Sequence, residues 1–393
     1  MALLAPPLAL YVHMPWCVKK CPYCDFNSHG VRGEPPYAAY VDALLADLDA
    51  DKADFGSALQ DRPIVSVFFG GGTPSLFAPD LIARFLDGAR SRLPFADACE
   101  ITLETNPGTV EHGRFDGYLA AGVNRISFGI QSFDDDKLKR LGRIHSSTEA
   151  EAAVKSAQDA GLDNINLDLM YALPDQTLPG ALDDVSRAVA LQPAHISHYQ
   201  LTLEPNTVFA AHPPPLPDDD SAWAMQEACE ARLAESGYAQ YEISAYAQPG
   251  RRCAHNLNYW RFGDYLGIGA GAHGKVTDTF SGDIIRRWKT RHPNAYLEAA
   301  GKPARVGGHA VVPDDEVAFE YMLNALRLVE GVPVGDFAAR TGQPLEGIAA
   351  RLAAGRDKGW LDRDPHYLRT TPLGQRFLND VIASFLAQSG TSK

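Results

Sequence analysis

Six short runs dense in apolar and β-branched residues recur through the first half of the chain, at 8–13, 64–69, 101–105, 125–130, 165–170 and 196–201. Their length and residue types predict strands. Between them lie 37–55, 79–93, 112–122, 147–161 and 178–191, which place apolar residues three and four apart and so predict amphipathic helices. Several of these close on Gly or Pro, as helices do. Strand alternating with helix six times predicts an α/β architecture around a parallel sheet. Two layouts satisfy that rhythm: a doubly wound open sheet, and a barrel-like sheet of six β/α units.

The polar residues bear on the choice. The first strand leads to Cys17, Cys21 and Cys24, and the second runs into Gly70-Gly71-Gly72-Thr73-Pro74. The third ends in Glu104 and Asn106, the fourth in Gln131; the fifth carries Asp168 and the sixth Gln200. Chemistry spread over every C-terminal strand end suits a barrel better than a switch-point crevice, which uses few strands. The expectation is a partial (β/α)6 barrel over 1–204. A connecting region, 205–312, follows, with a proline-rich loop at 212–220, a helix at 221–236 and a Gly- and aromatic-rich stretch at 238–292. From 313 to 393 the order changes to helix, helix-turn-helix pair, short hairpin and final helix, which predicts a small winged-helix-like α+β domain. No dense basic cluster marks a recognition helix, so a packing or lid role is expected for it rather than DNA binding.

Composition narrows the class. The 393 residues suffice for one large and one small domain. With 36 basic against 49 acidic residues and a net charge of -13, no nucleic-acid partner is expected. No run of about 18 apolar residues predicts a membrane span. The first sixteen residues lack a basic segment and are interrupted by prolines, unlike a signal peptide, so the expected compartment is the cytoplasm. Six cysteines are present, and three of them crowd one loop, which points to metal or redox chemistry rather than a disulfide framework.

That loop reads C-x3-C-x2-C, and Phe26 stands two places after its last cysteine. One reading is structural zinc, with Asp25, His13 or His29 as fourth ligand. Zinc sites usually pair two C-x2-C knuckles, however, and Cys99, Cys229 and Cys253 are scattered. The other reading is a [4Fe–4S] cluster on three thiolates, which leaves one iron open to a small molecule.

The cysteine spacing at the end of a first strand, with GGGTP after the second, resembles the radical S-adenosylmethionine (SAM) superfamily. The resemblance implies a cluster on Cys17, Cys21 and Cys24 whose open iron takes the amino and carboxylate groups of SAM. It also implies SAM contacts from Tyr11, Gly71, Gly72, Thr73, Glu104, Gln131, Arg143 and Asp168. Those types suit the ligand: carboxylates meet an ammonium or ribose hydroxyls, and a guanidinium meets a carboxylate. Within the superfamily, YVHMPWCVKKCPYCDF, FFGGGTPS, LETNP, RISFGIQSF and LDLMYALP are similar to a subgroup holding the oxygen-independent coproporphyrinogen III oxidases and the heme chaperones. The likeness covers nearly the whole chain. The oxidases have a further cysteine where Phe26 stands here and a long N-terminal extension, whereas ten residues precede Tyr11 in this chain.

RRCAHNLNYW holds an H-N-x-x-Y-W string, His255, Asn256, Tyr259 and Trp260, which resembles the heme-binding motif of the chaperones. The resemblance implies His255 as an axial ligand of heme, Tyr259 and Trp260 flanking the porphyrin, and Arg251 and Arg252 near its propionates. Cys253 and His273 are further ligand candidates, and a histidine simply hydrogen-bonded in an aromatic loop is the plain alternative. The expected function is heme chaperoning: binding heme and passing it to an acceptor hemoprotein, a respiratory-chain protein among the candidates, with an electron donor for the cluster. The alternative is radical SAM decarboxylation of coproporphyrinogen III, so whether the chain is an enzyme stays open here.

Overall fold

Strong outward-facing apolar positions on successive strands decide the architecture. The structure, a computed structural model, describes residues 3–31, 33–109 and 114–386. All six predicted strands form: β1 Leu8–Met14, β2 Ile64–Gly71, β3 Phe95–Thr105, β4 Arg125–Gln131, β5 Ile165–Tyr171 and β6 His195–Gln200. Each lies parallel to the next in chain order. The helices between them are α1 Tyr37–Phe55, α2 Pro79–Arg90, α3 Arg114–Ala121, α4 Asp135–Arg140, α5 Ser147–Asp159 and α6 Leu178–Ala190. Residues 112 and 113, included in the third predicted helix, lie outside the described residues.

The alternation along the strands divides the sheet into two faces. Leu10, Val67, Phe69, Leu103, Ile126, Phe128, Leu167 and Leu169 are buried in one core with the helices. The helix α2 shows why: Ile82, Phe85, Leu86 and Ala89 are its buried positions, one stripe at helical spacing. Local signals set the helix starts. Ser146 and Glu149 form a reciprocal capping box before α5, and Thr177 caps α6 through the Gly180 N–H. The opposite face of the sheet is polar, carrying Ser66, Glu104, Ser127, Asn166, Asp168 and Ser197.

The sheet continues where a connecting region was expected. After α7 Asp219–Glu235, β7 Ala239–Glu242 and β8 Ala245–Ala247 extend it antiparallel beyond β6. A helix, α8 Ala254–Trp260, leads to β9 Asp264–Ile268, which pairs parallel to β1 on the other side. Then β10 His273–Asp278, β11 Asp283–Lys289 and β12 Val306–Val311 follow antiparallel. The order is β12-β11-β10-β9-β1-β2-β3-β4-β5-β6-β8-β7, twelve strands with two edges, so the parallel part is an open, partial barrel.

Buried charges fasten the added strands to α1. Lys289 Nζ reaches Asp51 Oδ1 and Oδ2 at 2.7 and 2.8 Å and also bonds Asp47, while Arg305 Nε donates to Asp47 Oδ1 at 3.1 Å. All four residues are under 5% exposed. The C-terminal segment forms helices Asp314–Ala325, Val334–Thr341 and Ala349–Asp357, with two-residue strands Val332–Pro333 and Tyr367–Leu368 paired antiparallel like a small wing. Its core of Tyr321, Met322, Phe337 and Val381 takes in Phe262, Leu257 and Trp260, so α8 is clamped between the two units. Among the described residues, no helix is long and apolar enough to cross a membrane.

Candidate functional site

A cavity of about 940 Å³ opens at the C-terminal ends of the first strands. Tyr11, His13, Gly71 and Glu104 line it from the sheet, and Asp25, Phe26 and Asn27 from the cysteine loop. Its far wall is Tyr259 of α8 with Tyr265, His273 and Trp288 of the added strands and Arg291 just after β11.

Backbone bonds fix the cysteine loop against the glycine turn. Gly72 N–H donates to Met14 O at 2.7 Å and Thr73 N–H to Trp16 O at 2.8 Å. A Cβ at Gly72 would stand 2.6 Å from Trp16 O, so only glycine allows this approach; Gly71 sits at φ +107°. Cys17, Cys21 and Cys24 are unpaired and half-buried. Arg143 Nη1 points at Cys21 Sγ, 3.6 Å away, while Nη2 donates to Gly129 O. Burial raises the Cys17 and Cys24 thiols above their ordinary range, so a metal centre would have to displace their protons. Asn27 Nδ2 donates to Ala270 O at 2.9 Å and Arg291 O at 2.8 Å, tying the cysteine loop to the far wall.

A zinc ligand from His13 does not fit this geometry. His13 Nε2 is 2.9 Å from Asn27 O, which accepts, so the other nitrogen, Nδ1, accepts from Tyr11 OH at 3.0 Å. Burial lowers its pKa to about 4, consistent with a neutral ring whose two nitrogens are both engaged. Among the described residues, no three or more His, Cys, Asp or Glu side chains gather as ligands for a single ion.

The inner carboxylates form a second layer. Glu104 Oε2 accepts from Gly71 N–H at 3.2 Å. Burial, then the neighbouring Asp168, pushes its pKa up to about 8. Asp168 takes bonds from Asn166 Nδ2 at 2.8 Å and Ser127 Oγ at 3.0 Å, and burial raises it too. Gln131 adopts φ +72° and accepts from Tyr199 OH at 2.7 Å. A Cβ on Gly129 would meet Gln131 Nε2 at 3.0 Å and Arg143 Nη2 at 3.2 Å; the missing side chain lets those two groups converge. Of the expected SAM residues, Tyr11, Gly71 and Glu104 reach the cavity wall, while Gly72, Thr73, Gln131, Arg143 and Asp168 stand behind it or beside the cysteines. Gln200 faces solvent, and Asn106 Oδ1 is 3.0 Å from His145 Nδ1.

The H-N-x-x-Y-W string falls in α8. It is helical, and His255 does not line the cavity. The ring is 2% exposed, with Nδ1 2.9 Å from Ser66 Oγ and Nε2 3.2 Å from Tyr259 OH. It stacks on Phe68 with centroids 4.9 Å apart, and burial lowers its pKa to about 3. The cause lies in β3: the Glu100 carboxylate accepts from the N–H groups of Ala254 and His255, both at 3.1 Å, and so docks the first turn of α8 onto the sheet. Arg251 pairs with Asp163 and Arg252 with Glu330, Cys253 is buried beside Glu100, and Trp260 packs under Arg327. Of the string, Tyr259 alone is part of the cavity wall. Asn27, Tyr265, Trp288 and Arg291 had no motif to mark them; they arrive through strand pairing and loop contacts.

Residues 11–185 match the family model of the radical SAM superfamily, and 312–377 that of the HemN C-terminal domain. The chain is 50% identical over 383 residues to the heme chaperone HemW of Escherichia coli, covering 98% of this chain and 99% of that protein. It is 49% identical, with the same coverage, to the heme chaperone HemW of Haemophilus influenzae. It is 33% identical to the mitochondrial radical S-adenosyl methionine domain-containing protein 1 of Bos taurus, over 97% of this chain and 87% of that one. Among solved structures, coproporphyrinogen III oxidase (HemN) from Escherichia coli aligns with a TM-score of 0.81 at 22% identity, over 97% of this chain and 90% of that one, a likeness of fold.

Proposed function

The chain belongs to the radical SAM superfamily and, within it, to the family of the heme chaperone HemW proteins, and from that premise we propose that it binds heme in the 940 Å³ cavity and passes it to an acceptor hemoprotein. The observation that carries the reading is the two-sided cavity. One wall is the cysteine loop with the glycine turn; the other is an aromatic and cationic surface of Tyr259, Tyr265, Trp288 and Arg291. The volume falls at the top of the roughly 300–1,000 Å³ range of small-molecule sites. A flat apolar macrocycle with anionic edges suits the second wall, where rings offer apolar faces and a guanidinium offers a carboxylate partner.

On this reading Cys17, Cys21 and Cys24 hold a [4Fe–4S] cluster. Three half-buried thiols on one loop, with a guanidinium aimed at Cys21, supply a donor set of the right kind and leave one position free. When bound, such a cluster supplies an open iron for SAM and an electron for its reductive cleavage. This chain's own residues then orient the ligand. Gly71 and Gly72 bring bare backbone to it, and Glu104, relieved of its proton, meets the ammonium. Asp168 and Gln131 hold polar positions behind, and Tyr11 is kept in place by His13. Thr73 and Arg143 brace the cysteines. Heme is the cargo, the cluster's reductant is a separate donor protein, and the compartment is the cytoplasm; an acceptor in the respiratory chain suits a carrier of this kind.

Anaerobic titration of reconstituted protein with hemin tests the reading. A saturable Soret band, retained in Cys17→Ala, is expected, together with no protoporphyrinogen IX from coproporphyrinogen III in the presence of SAM and a reductant. Robust decarboxylation would make the chain an oxidase instead, and a missing Soret band would remove the heme site.

A further inference from the structure

The polar face of the sheet holds a chain of buried side chains that reaches from the inner carboxylates to α8. It starts at Asp168 and runs through Asn166, His195 and Tyr241 to the first turn of that helix. Asn166 Nδ2 lies 2.8 Å from Asp168 Oδ1, and Asn166 Oδ1 lies 2.6 Å from His195 Nδ1. His195 Nε2 is 2.9 Å from Tyr241 OH, which accepts from Cys253 N–H at 3.4 Å. Asn166, His195 and Tyr241 are all buried, His195 completely. Building on the SAM reading proposed above, we propose that His195 and Tyr241 are positioning residues for SAM, which set the Asp168 carboxylate and tie it to the docking of α8.

The donors of this chain all point one way. An ionised carboxylate only accepts, so the Asn166 amide turns its NH2 toward Asp168 and its oxygen toward His195. Ser197 Oγ donates to the same oxygen at 3.1 Å, which agrees with that orientation. His195 therefore carries its proton on Nδ1, and Nε2 is left to accept from the Tyr241 hydroxyl. The Tyr241 oxygen in turn takes the backbone N–H of Cys253. Every bond is thus oriented toward Asp168, and hydrogen bonds aligned in this way polarise one another.

What the chain delivers is a fixed carboxylate. Asp168 Oδ1 takes Asn166, and Oδ2 takes Ser127 Oγ at 3.0 Å, so each oxygen has one donor and keeps a lone pair for a ligand hydroxyl or ammonium. The residue in register with Asp168 on β4 is Gly129, which adds no side chain over it. The far end is fixed as well. Glu100 accepts from the N–H groups of Ala254 and His255 and from the Cys253 thiol at 3.4 Å, so the docking that orients α8 also presents the Cys253 N–H to Tyr241. Burial and then the charge of Arg125 hold the His195 pKa well below the ordinary histidine value, in keeping with a neutral ring that donates at one nitrogen and accepts at the other. A network that merely satisfied buried polar atoms could end on any acceptor. This one ends on a carboxylate close enough to Glu104 to raise that residue's pKa.

The test uses reconstituted protein under anaerobic conditions. SAM binding is read by its effect on the EPR signal of the reduced cluster, with circular dichroism and iron content to verify folding. Tyr241→Phe and His195→Phe should each weaken SAM about tenfold, about 1.4 kcal/mol. His195→Asn, whose amide presents an N–H where Nδ1 stands, should recover most of that loss. In Asp168→Asn, adding Tyr241→Phe should cost no further affinity, since the carboxylate it serves is gone; a purely structural role would give additive losses. Hydrogen exchange at the amides of 253–258 should slow with SAM in wild type and not respond in Tyr241→Phe. Additive losses, exchange that responds equally in both proteins, or wild-type affinity in both Tyr241→Phe and His195→Phe would overturn the assignment while leaving SAM binding intact. An EPR signal that SAM does not change in wild type would remove the SAM site and this role together.

Discussion

Glu104 should be protonated in the empty site at neutral pH, and replacing it with Gln should stabilise the metal-free protein. In the native chain, burial and then Asp168 raise this carboxyl from 4.5 to about 8. In the unfolded chain it returns to its ordinary value and ionises. Between these two values the native state binds more protons than the unfolded state, so stability falls as pH rises through the window and is fully present only below it. At pH 7 the native state pays for a proton that the unfolded chain has released, a cost of about 3 kcal/mol at about 1.4 kcal/mol per pH unit. Glu104→Gln keeps a neutral acceptor for the Gly71 N–H and removes that cost. The variant should gain up to about 3 kcal/mol over wild type at pH 7 and almost nothing at pH 4. Urea unfolding of both proteins at intervals from pH 4 to 9 reads the difference directly, since every other titrating group is common to the two. The same substitution should weaken SAM, because a cationic ammonium selects the ionised carboxylate that Gln cannot supply. A stability difference that does not change with pH would refute the reasoning, and one that favours wild type increasingly with pH would reverse its sign.

Three other outcomes follow from separate parts of the fold. Replacing Cys17, Cys21 or Cys24 with Ala should abolish iron and sulfide uptake on reconstitution, while Cys99→Ala and Cys229→Ala, both buried away from the loop, should retain it; stoichiometric zinc without sulfide would contradict this. Gly72→Ala places a Cβ 2.6 Å from Trp16 O and 2.8 Å from Met14 O, backbone atoms that yield only by moving the cysteine loop, so iron per chain should fall even though no ligand is touched. Lys289→Met leaves Asp47 and Asp51 short of a buried cation, and urea unfolding should show a loss of about 3–5 kcal/mol, the usual cost of breaking a buried ion pair on one side.

The first half of the fold was legible because its signals are local. An apolar stripe such as that of α2, or a capping box such as Ser146 with Glu149, needs no distant partner to be read. Strand ends in a parallel β/α array share one edge, so Tyr11, Gly71 and Glu104 had to meet once the strands were found. The strands from 239 to 311 escaped notice for the opposite reason. They are three to seven residues long, and Gly267 and Gly274 interrupt their pattern. β9 takes its sheet position by pairing with β1 across some 250 residues of chain, and β7 and β8 theirs by joining the far edge beyond β6. The placement of His255 has the same origin. A string of residue types says which side chains can bind a metal, whereas their direction is set by Glu100, whose carboxylate docks α8 onto the sheet from another part of the chain.

Phe26 belongs to the same problem of direction. It is 59% exposed and lines the cavity between Asp25 and Asn27, with its carbonyl held by Lys20 Nζ at 3.0 Å. An apolar ring left this open to solvent costs free energy unless a ligand covers it, at roughly 25 cal/mol per Å² of apolar surface. The residues on either side have work of their own, since Asn27 ties the loop to Ala270 and Arg291. A cysteine at position 26 would offer the loop a fourth thiol and the cavity little apolar surface. Phenylalanine reverses both effects: three thiols remain, one metal position stays free, and the loop presents a flat apolar face toward the wall that carries Tyr259, His273 and Trp288. Phe26→Cys should therefore weaken hemin binding, read by the Soret titration, without lowering iron and sulfide content. Unchanged hemin affinity in that variant would mean that the ring does not meet the porphyrin.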